Sequence, residues 1–174
     1  HEADARRALV IGGGAIGVAA VLSLRAMGCD DVTVIEPNPT RRAYLSDNCG
    51  FDAVAETTEI YPLVIDAVGF AVTRANASAH AAPGGVIVHI GLGEDTGGLD
   101  IRRMTLQEIT FIGTYTYTAQ DFRDTAQAMF DGRLGPLDWT ETRPLSQGAD
   151  AFADIRSGRT AAPKILLKPD GSGD

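Results

Sequence analysis

Short apolar runs alternate along the chain with longer segments that mix apolar and polar positions. Continuous apolar runs are typical of strands that are buried on both faces of a parallel sheet. The longer segments suit helices that connect one parallel strand to the next. The pattern predicts strands at 7–11, 32–36, 53–55, 63–69, 86–91 and 109–117, and helices at 15–27, 39–48 and 72–82. It therefore predicts an α/β fold built on a doubly wound parallel sheet.

The pattern changes after Ala119. Beyond this residue, the sequence predicts helices at 120–130 and 146–156, separated by a loop and the segment 139–143, and a last strand at 164–168. We therefore divide the chain into a sheet domain at 1–118 and a C-terminal helix and strand extension at 119–174.

The first predicted strand leads into a glycine turn of the form Gly12-x-Gly14-x-x-Gly17, and a helix follows it. Gly12 permits the sharp turn, Gly14 lets a pyrophosphate approach the backbone, and Gly17 lets the helix pack close to the strand. The free N–H groups and the dipole of the helix N-terminus favour a bound phosphate. Glu36 ends the second strand, where its carboxylate can accept hydrogen bonds from the adenosine ribose hydroxyls. Together these features predict a dinucleotide-binding site.

Other interpretations of the same turn remain open. A doubly wound domain can carry glycines there for structural reasons alone. A methyltransferase also uses a glycine turn and an acid after its second strand. A non-catalytic NAD-binding module would serve as a sensor or regulator, and it would lack the zinc-ligand domain of an enzyme. A titration with NAD and S-adenosylmethionine separates the methyltransferase from the others.

Charge and composition narrow the possible partners. The chain has 174 residues and a formal net charge of −8, which argues against nucleic acid and anionic membranes as partners. No apolar run is long enough to span a bilayer and no signal-peptide pattern is visible, so we expect a cytoplasmic protein. Cys29 and Cys49 form no metal-ligand spacing with the histidines, so we expect no metal site in this chain.

Five sequence blocks together carry a family resemblance. In order they are LVIGGGAIGVAA, VTVIEPNPTRR, LVIDAVG, GGVIVHIGL and ITFIGTY. They resemble the cofactor half of the medium-chain dehydrogenase/reductase superfamily, and the zinc-dependent alcohol and polyol dehydrogenase branch is the most similar. The resemblance covers residues 7–168, and ADAFADIRSGR resembles the part that returns to the catalytic domain.

This resemblance implies a Rossmann fold that binds NAD(H) and positions the nicotinamide for hydride transfer. Family members also have an N-terminal GroES-like catalytic domain, which supplies the zinc ligands and is missing from this chain. Zinc is therefore expected only in that missing domain, and the full-length protein would act on a small-molecule alcohol. We expect this chain alone to be inactive and to contain no catalytic residue.

The resemblance also implies cofactor contacts at the carboxyl ends of the strands. The expected contacts are Gly12, Gly14, Ala15, Ile16 and Gly17 around the pyrophosphate; Glu36 at the adenosine ribose; Pro37 and Arg41 beside the adenine; Val68 and Gly69 along the nicotinamide ribose; Ile90, Gly91 and Leu92 at the nicotinamide end; and Thr114 and Tyr115 at the next strand end.

Two polar residues near strand ends have simpler interpretations. His89 lies in an apolar strand, where a histidine is usually a hydrogen-bonded core residue rather than a ligand. Asp66 comes near the end of a buried strand, and we expect its carboxylate to meet backbone groups or a helix terminus.

The last strand of the predicted sheet suggests how two copies could assemble. An apolar strand at a sheet edge is a pairing surface. Related domains commonly join their sheets at this edge, so we expect a two-fold homodimer through Leu99–Ile101 and Ile109–Tyr117.

Overall fold

The computed structural model describes residues 6–169. The ends of the two predicted parts, 1–5 and 170–174, lie outside the described residues. The sheet domain contains β1 (Arg7–Ile11), α1 (Ala15–Ala26), β2 (Asp31–Ile35), α2 (Pro39–Cys49), β3 (Asp52–Val54), β4 (Tyr61–Asp66), α3 (Ala71–His80), β5 (Ala81–His89), α4 (Ile101–Leu106) and β6 (Thr110–Gly113). It is followed by α5 (Ala119–Phe130), β7 (Thr140–Pro144), a 3₁₀ helix (Leu145–Gln147), α6 (Gly148–Arg156) and β8 (Lys164–Lys168).

The first six strands form one parallel sheet in the order β3-β2-β1-β4-β5-β6. This is the strand order of the doubly wound Rossmann fold, so the predicted fold class is confirmed. The direction of winding reverses between β1 and β4, where Ile11 pairs with Ile35 on one side and with Asp66 on the other. Ligands of such sheets bind beside the carboxyl ends of the strands at this reversal.

β1 lies inside the sheet and is buried on both faces. Val10 packs in a cluster with Val18 of α1, and Leu9 packs in a second cluster with Ala77 of α3. All four side chains are at most 1% exposed. Burial on both faces explains why β1 is a continuous apolar run rather than an alternating one.

The predicted strands β4 and β6 end at least three residues earlier in the structure than in the sequence pattern. β4 stops at Asp66 rather than Gly69, because the Asp66 carboxylate accepts hydrogen bonds from the N–H groups of Val68 and Gly69 and turns the chain. β6 stops at Gly113 rather than Tyr117, because Gly113, opposite His89, is the last residue in register with β5. The sequence prediction is wrong for both ends, because apolar composition continues past the last pairing residue.

The short helix α4 was absent from the sequence prediction. Asp100 caps it, since its side chain accepts a hydrogen bond from the N–H of Arg103 at 2.8 Å. A helix of six residues gives almost no periodic signal. None of the helices in the described part of the chain is long and apolar enough to cross a membrane.

β7 and β8 form a separate parallel sheet of two strands. The loop before β8 contacts the sheet domain at the start of α2. There, Asn38 donates from Nδ2 to the carbonyl of Gly158 at 2.8 Å, and Arg41 donates from Nη2 to the carbonyl of Thr160 at 3.1 Å. The C-terminal extension is thus tied to the carboxyl edge of the sheet.

Candidate cofactor site

A cleft of about 720 Å³ opens at the carboxyl ends of β1, β2 and β4, where the winding of the sheet reverses. This volume lies within the usual range for small-molecule sites. The predicted site residues that line it are Gly12, Gly14, Glu36, Pro37, Arg41 and Val68. Other lining residues, namely Phe70, Val72, Thr73 and Asn76, were not expected from the sequence. Phe70 precedes α3, and the other three lie in the first two turns of that helix, which follows the end of β4.

The glycine turn between β1 and α1 is compact on one side and open on the other. A Cβ on Gly17 would lie 1.8 Å from the carbonyl oxygen of Gly12, so only glycine lets α1 begin this close to β1. A Cβ on Gly14 would meet nothing within 4 Å. Gly14 is also the N-cap of α1 and makes no side-chain cap, which leaves the N–H groups of the first turn for a ligand.

Glu36 is a buried acid at the end of β2, with 5% of its surface exposed. Oε2 accepts from the N–H of Gly13 at 3.0 Å, and Oε1 accepts from the N–H of Asn38 at 2.8 Å. A buried carboxylate requires such partners. Because a carboxylate has about four acceptor sites, room remains for ribose hydroxyls. The link to the glycine turn is a structural role that the sequence analysis did not foresee.

The two arginines of α2 are engaged with backbone carbonyls. Arg42 donates from Nη1 to the carbonyls of Glu36 and Pro37, at 2.7 and 3.2 Å. Arg41 lines the cleft while its Nη2 donates to Thr160. Among the described residues, Nε of Arg41 is buried without a hydrogen-bond partner.

The loops after β4 and β5 cross beside the cleft. A Cβ on Gly69 would lie 2.2 Å from the carbonyl oxygen of Gly91, and a Cβ on Gly91 would lie 2.1 Å from the carbonyl carbon of Val68. The structure thus brings together Val68, Gly69 and Gly91, as the sequence analysis expects. Leu92 follows directly and is exposed.

The remaining predicted site residues lie around this crossing. Ile16, one of the three predicted contacts in the first turn of α1, lines a shallow apolar groove together with Ile90. Thr114 follows β6 and donates from its N–H to the carbonyl of His89 at 2.9 Å, while Tyr115 is largely exposed. Neither Thr114 nor Tyr115 lines the cleft.

Asp66 and His89 form a partly buried polar contact near the crossing loops. The Asp66 carboxylate is fully buried and accepts from the N–H groups of Val68 and Gly69, from the hydroxyl of Thr73, and from Nδ1 of His89, all at 3.0–3.1 Å. The interpretation that Asp66 meets backbone groups is confirmed. His89 is hydrogen-bonded, as expected of a core histidine.

No metal site is formed in the residues that the structure describes, since no group of three or more His, Cys, Asp or Glu residues lies close enough to hold an ion. The zinc that the resemblance implies therefore has no ligand group of this kind among residues 6–169.

Comparisons with known proteins agree with this architecture. The model of a family described as zinc-binding dehydrogenase matches residues 15–131. The probable diacetyl reductase [(R)-acetoin forming] 2 of Saccharomyces cerevisiae is 26% identical over 193 aligned positions, which cover 96% of this chain and 45% of the yeast protein.

Solved structures share the same fold. Alcohol dehydrogenase TADH from Thermus sp. ATN1 superposes with a TM-score of 0.82 at 21% identity, covering 94% of this chain and 52% of that one. A short chain alcohol dehydrogenase from Escherichia coli CFT073, in complex with NADH, gives a TM-score of 0.79 at 22% identity, covering 93% and 52%. The chain thus spans about half the length of these relatives.

Proposed function

The chain belongs to the zinc-binding dehydrogenase family, and we propose that it is the part of such an enzyme that binds NAD(H) and positions the nicotinamide for hydride transfer. The observation that carries this proposal is the cleft at the reversal of the sheet, with the open Gly14 at its centre and the buried Glu36 at its side. The structure of the Escherichia coli relative with NADH supports the choice of cofactor.

The pyrophosphate would lie over Gly14. Because nothing occupies the space in front of this residue, the phosphate oxygens can reach the N–H groups of Ala15, Ile16 and Gly17. The positive end of the α1 dipole favours their negative charge.

The adenosine would lie on the β2 side of the cleft. Glu36 would accept from the ribose hydroxyls through the acceptor sites that Gly13 and Asn38 leave unused. Pro37 and Arg41 would flank the adenine, since both line this end of the cleft.

The nicotinamide riboside would lie on the β4 and β5 side. Val68 and Gly69 would contact its ribose, and Ile90, Gly91 and Leu92 would border the ring. Thr114 and Tyr115 lie further out, at the next strand end. In this arrangement NAD supplies the hydride acceptor, and the protein residues hold it in place.

Residues 119–174 would join this domain to the catalytic domain of an alcohol or polyol dehydrogenase. Large apolar side chains in this extension are exposed, namely Phe122, Phe130, Leu145, Phe152 and Leu166. A two-stranded sheet such as β7–β8 is also marginal on its own. Both observations support a further protein surface that covers the extension in the whole enzyme. The acid–base groups and the zinc would come from that surface.

Calorimetric titration of the purified chain tests the proposed function. We expect NAD to bind with measurable affinity and S-adenosylmethionine not to bind, because the site is matched to a dinucleotide. Binding of S-adenosylmethionine without NAD would instead favour a methyltransferase. Absence of binding by both ligands would contradict the proposal.

A further inference from the structure

Arg74 of α3 is a buried cation whose partners are all backbone carbonyls. Its side chain is 6% exposed. Nε donates to Gly97 at 2.6 Å, and Nη1 donates to Gly69 at 2.7 Å and to Glu94 at 2.9 Å. Nη2 donates to the carbonyl of Thr96.

The guanidinium of Arg74 forms no ion pair with a carboxylate in the described part of the chain. An isolated buried charge is costly, so the carbonyl dipoles must offset its lost hydration. Four carbonyls in different directions require the forked donors of arginine. A lysine in the same place could not satisfy all of them.

The carbonyls that Arg74 binds belong mainly to the loop at 91–98, between β5 and α4. This loop is exposed over most of its length. Its other attachments include backbone bonds from Gly93 to Val68 and from Glu94 to Gly69, at 3.1 and 2.9 Å, and a bond from the N–H of Ala71 to the Glu94 side chain at 2.7 Å. Arg74 therefore supplies the buried anchor of an otherwise exposed loop.

Gly69 is held from both sides by charged side chains. Its N–H donates to Asp66 at 3.0 Å, and its carbonyl accepts from Arg74 at 2.7 Å. Gly91 lies against it, so the two crossing loops share this fixed point. These loops are the ones that would border the nicotinamide riboside.

We infer that Arg74 is a positioning residue that holds the nicotinamide side of the site in place without touching the cofactor. The inference rests on the proposed function. With at least four of its five N–H donors already used, Arg74 has little capacity to bind a phosphate itself. Its effect would pass through the loop at 91–98 and Gly69.

The test compares binding at the adenosine end of the cofactor with binding at the nicotinamide end. ADP contains the adenosine and pyrophosphate but lacks the nicotinamide riboside, so it probes only the Gly14 and Glu36 side of the cleft. We would measure dissociation constants of ADP and NAD by calorimetry for the wild-type chain, Arg74→Lys and Arg74→Met. We expect NAD affinity to fall about tenfold, equivalent to 1.4 kcal/mol, while ADP affinity changes less than about twofold.

A substitution of Glu94, in the same loop, provides a test if both Arg74 variants fail to fold. Glu94 is exposed, and its Oε2 accepts from the N–H of Ala71 at 2.7 Å. Glu94→Ala loosens the same loop from its outer side, and we expect it to weaken NAD selectively in the same way. Arg103→Met is the matched control, because Arg103 also donates to carbonyls, those of Ala79 and Ala81, but not to this loop.

The outcomes distinguish a failure of the proposed function from a failure of the positioning role of Arg74. If the wild-type chain binds neither ADP nor NAD, the proposed function fails. If it binds both, but the folded variants lose ADP and NAD equally or lose neither, the positioning role of Arg74 is contradicted. A selective loss of NAD in Arg74→Lys and Glu94→Ala, without one in Arg103→Met, supports it.

Discussion

The carboxylate of Glu36 accepts a hydrogen bond from the N–H of Gly13, 3.0 Å away, and so ties the end of β2 to the turn after β1. One buried acid therefore has two tasks in the proposed site. It fixes the glycine turn, and it would bind the adenosine ribose. Substitutions at this position have to be chosen so that the two tasks can be told apart.

We expect the wild-type chain to bind NAD more tightly than NADP. The 2′-phosphate of NADP carries a charge of about −2 and would lie close to Glu36, which should cost on the order of 1–4 kcal/mol. This corresponds to roughly tenfold to several-hundredfold weaker binding. Arg41 and Arg42 keep their positive charges, but backbone carbonyls hold both side chains in place, so we expect them to offset only part of the repulsion. Glu36→Ser should narrow the preference by weakening NAD and relieving NADP.

Glu36→Gln is the control for the structural task. The amide oxygen can still accept from Gly13, so the turn should persist while the charge and the bond from the N–H of Asn38 are lost. Calorimetry with both dinucleotides measures the ratio of the dissociation constants of NADP and NAD. Equal affinity of the wild-type chain for NAD and NADP, or an unchanged ratio in both variants, would remove Glu36 from the role assigned to it.

An added methyl group should reduce the stability of the fold at Gly17 and the affinity for NAD at Gly14. Gly17→Ala should destabilise the fold by about 1–3 kcal/mol, because its Cβ would overlap the carbonyl of Gly12. Gly14→Ala should leave the unfolding temperature nearly unchanged, since its Cβ enters open space, yet weaken NAD by occupying the place of the pyrophosphate. Thermal denaturation and calorimetry on both variants test this. A stable Gly17→Ala or a normal NAD affinity in Gly14→Ala would contradict it.

The chain alone should bind NAD without oxidising alcohols. The described residues hold no metal-ligand group, and the relatives are about twice as long as this chain. Absorbance of NADH during incubation with a panel of polyols and NAD measures the activity. Steady NADH production by the purified chain, free of contaminating dehydrogenase, would overturn this expectation.

We predict a two-fold homodimer through Leu99–Ile101 and Ile109–Tyr117. β6 is an edge strand of the main sheet, and Ile112 on it is exposed. Ile112→Lys should shift the dimer towards monomer, because a charge on an edge strand opposes strand pairing. Leu166→Lys, at an exposed position of β8, is the control. Light scattering reports the mass, and a monomeric wild-type chain at high concentration would count against the dimer.

Acid should weaken the contact between α6 and its neighbours. Hydrogen bonds from Arg143 and Arg159 hold the pKa of Asp154 below its ordinary value of 3.8. A depressed carboxyl pKa contributes stability above the unfolded value, and that contribution is lost as pH falls through the folded value. Asp154→Asn should therefore lower the unfolding temperature at neutral pH, and the difference from wild type should shrink below about pH 4.

Asp124→Asn serves as the control for this pH dependence. It removes an exposed carboxylate that is bonded to the neutral side chain of Gln120. A difference between wild type and Asp154→Asn that stays constant from pH 7 to pH 3 would contradict the assignment.

The main sheet could be predicted because its strands are buried on both faces and read as continuous apolar runs. The glycine turn and Glu36 could be predicted because they combine a local spacing with a position at a strand end. Arg74 could not be found in this way. In sequence it is an arginine on an alanine-rich helix, a pattern that suggests a solvent-exposed residue, and three of its four carbonyl partners lie 20–23 residues further on in a loop.

The end of β6 and the helix α4 were missed for a different reason. Both depend on a single local event: the loss of pairing beyond Gly113 and the cap that Asp100 provides. Neither event changes the average hydrophobic pattern, and so neither was visible in it.

The two-stranded sheet has implications for aggregation. β7 and β8 pair only with each other among residues 6–169, so each has one side where its N–H and C=O groups can pair with another chain. The apolar stretch of β8 is bracketed by Lys164 and Lys168. Charges at such flanks act as gatekeepers against intermolecular stacking of strands. The solubility of the chain on its own is therefore expected to depend on these two lysines more than on any residue of the cofactor cleft.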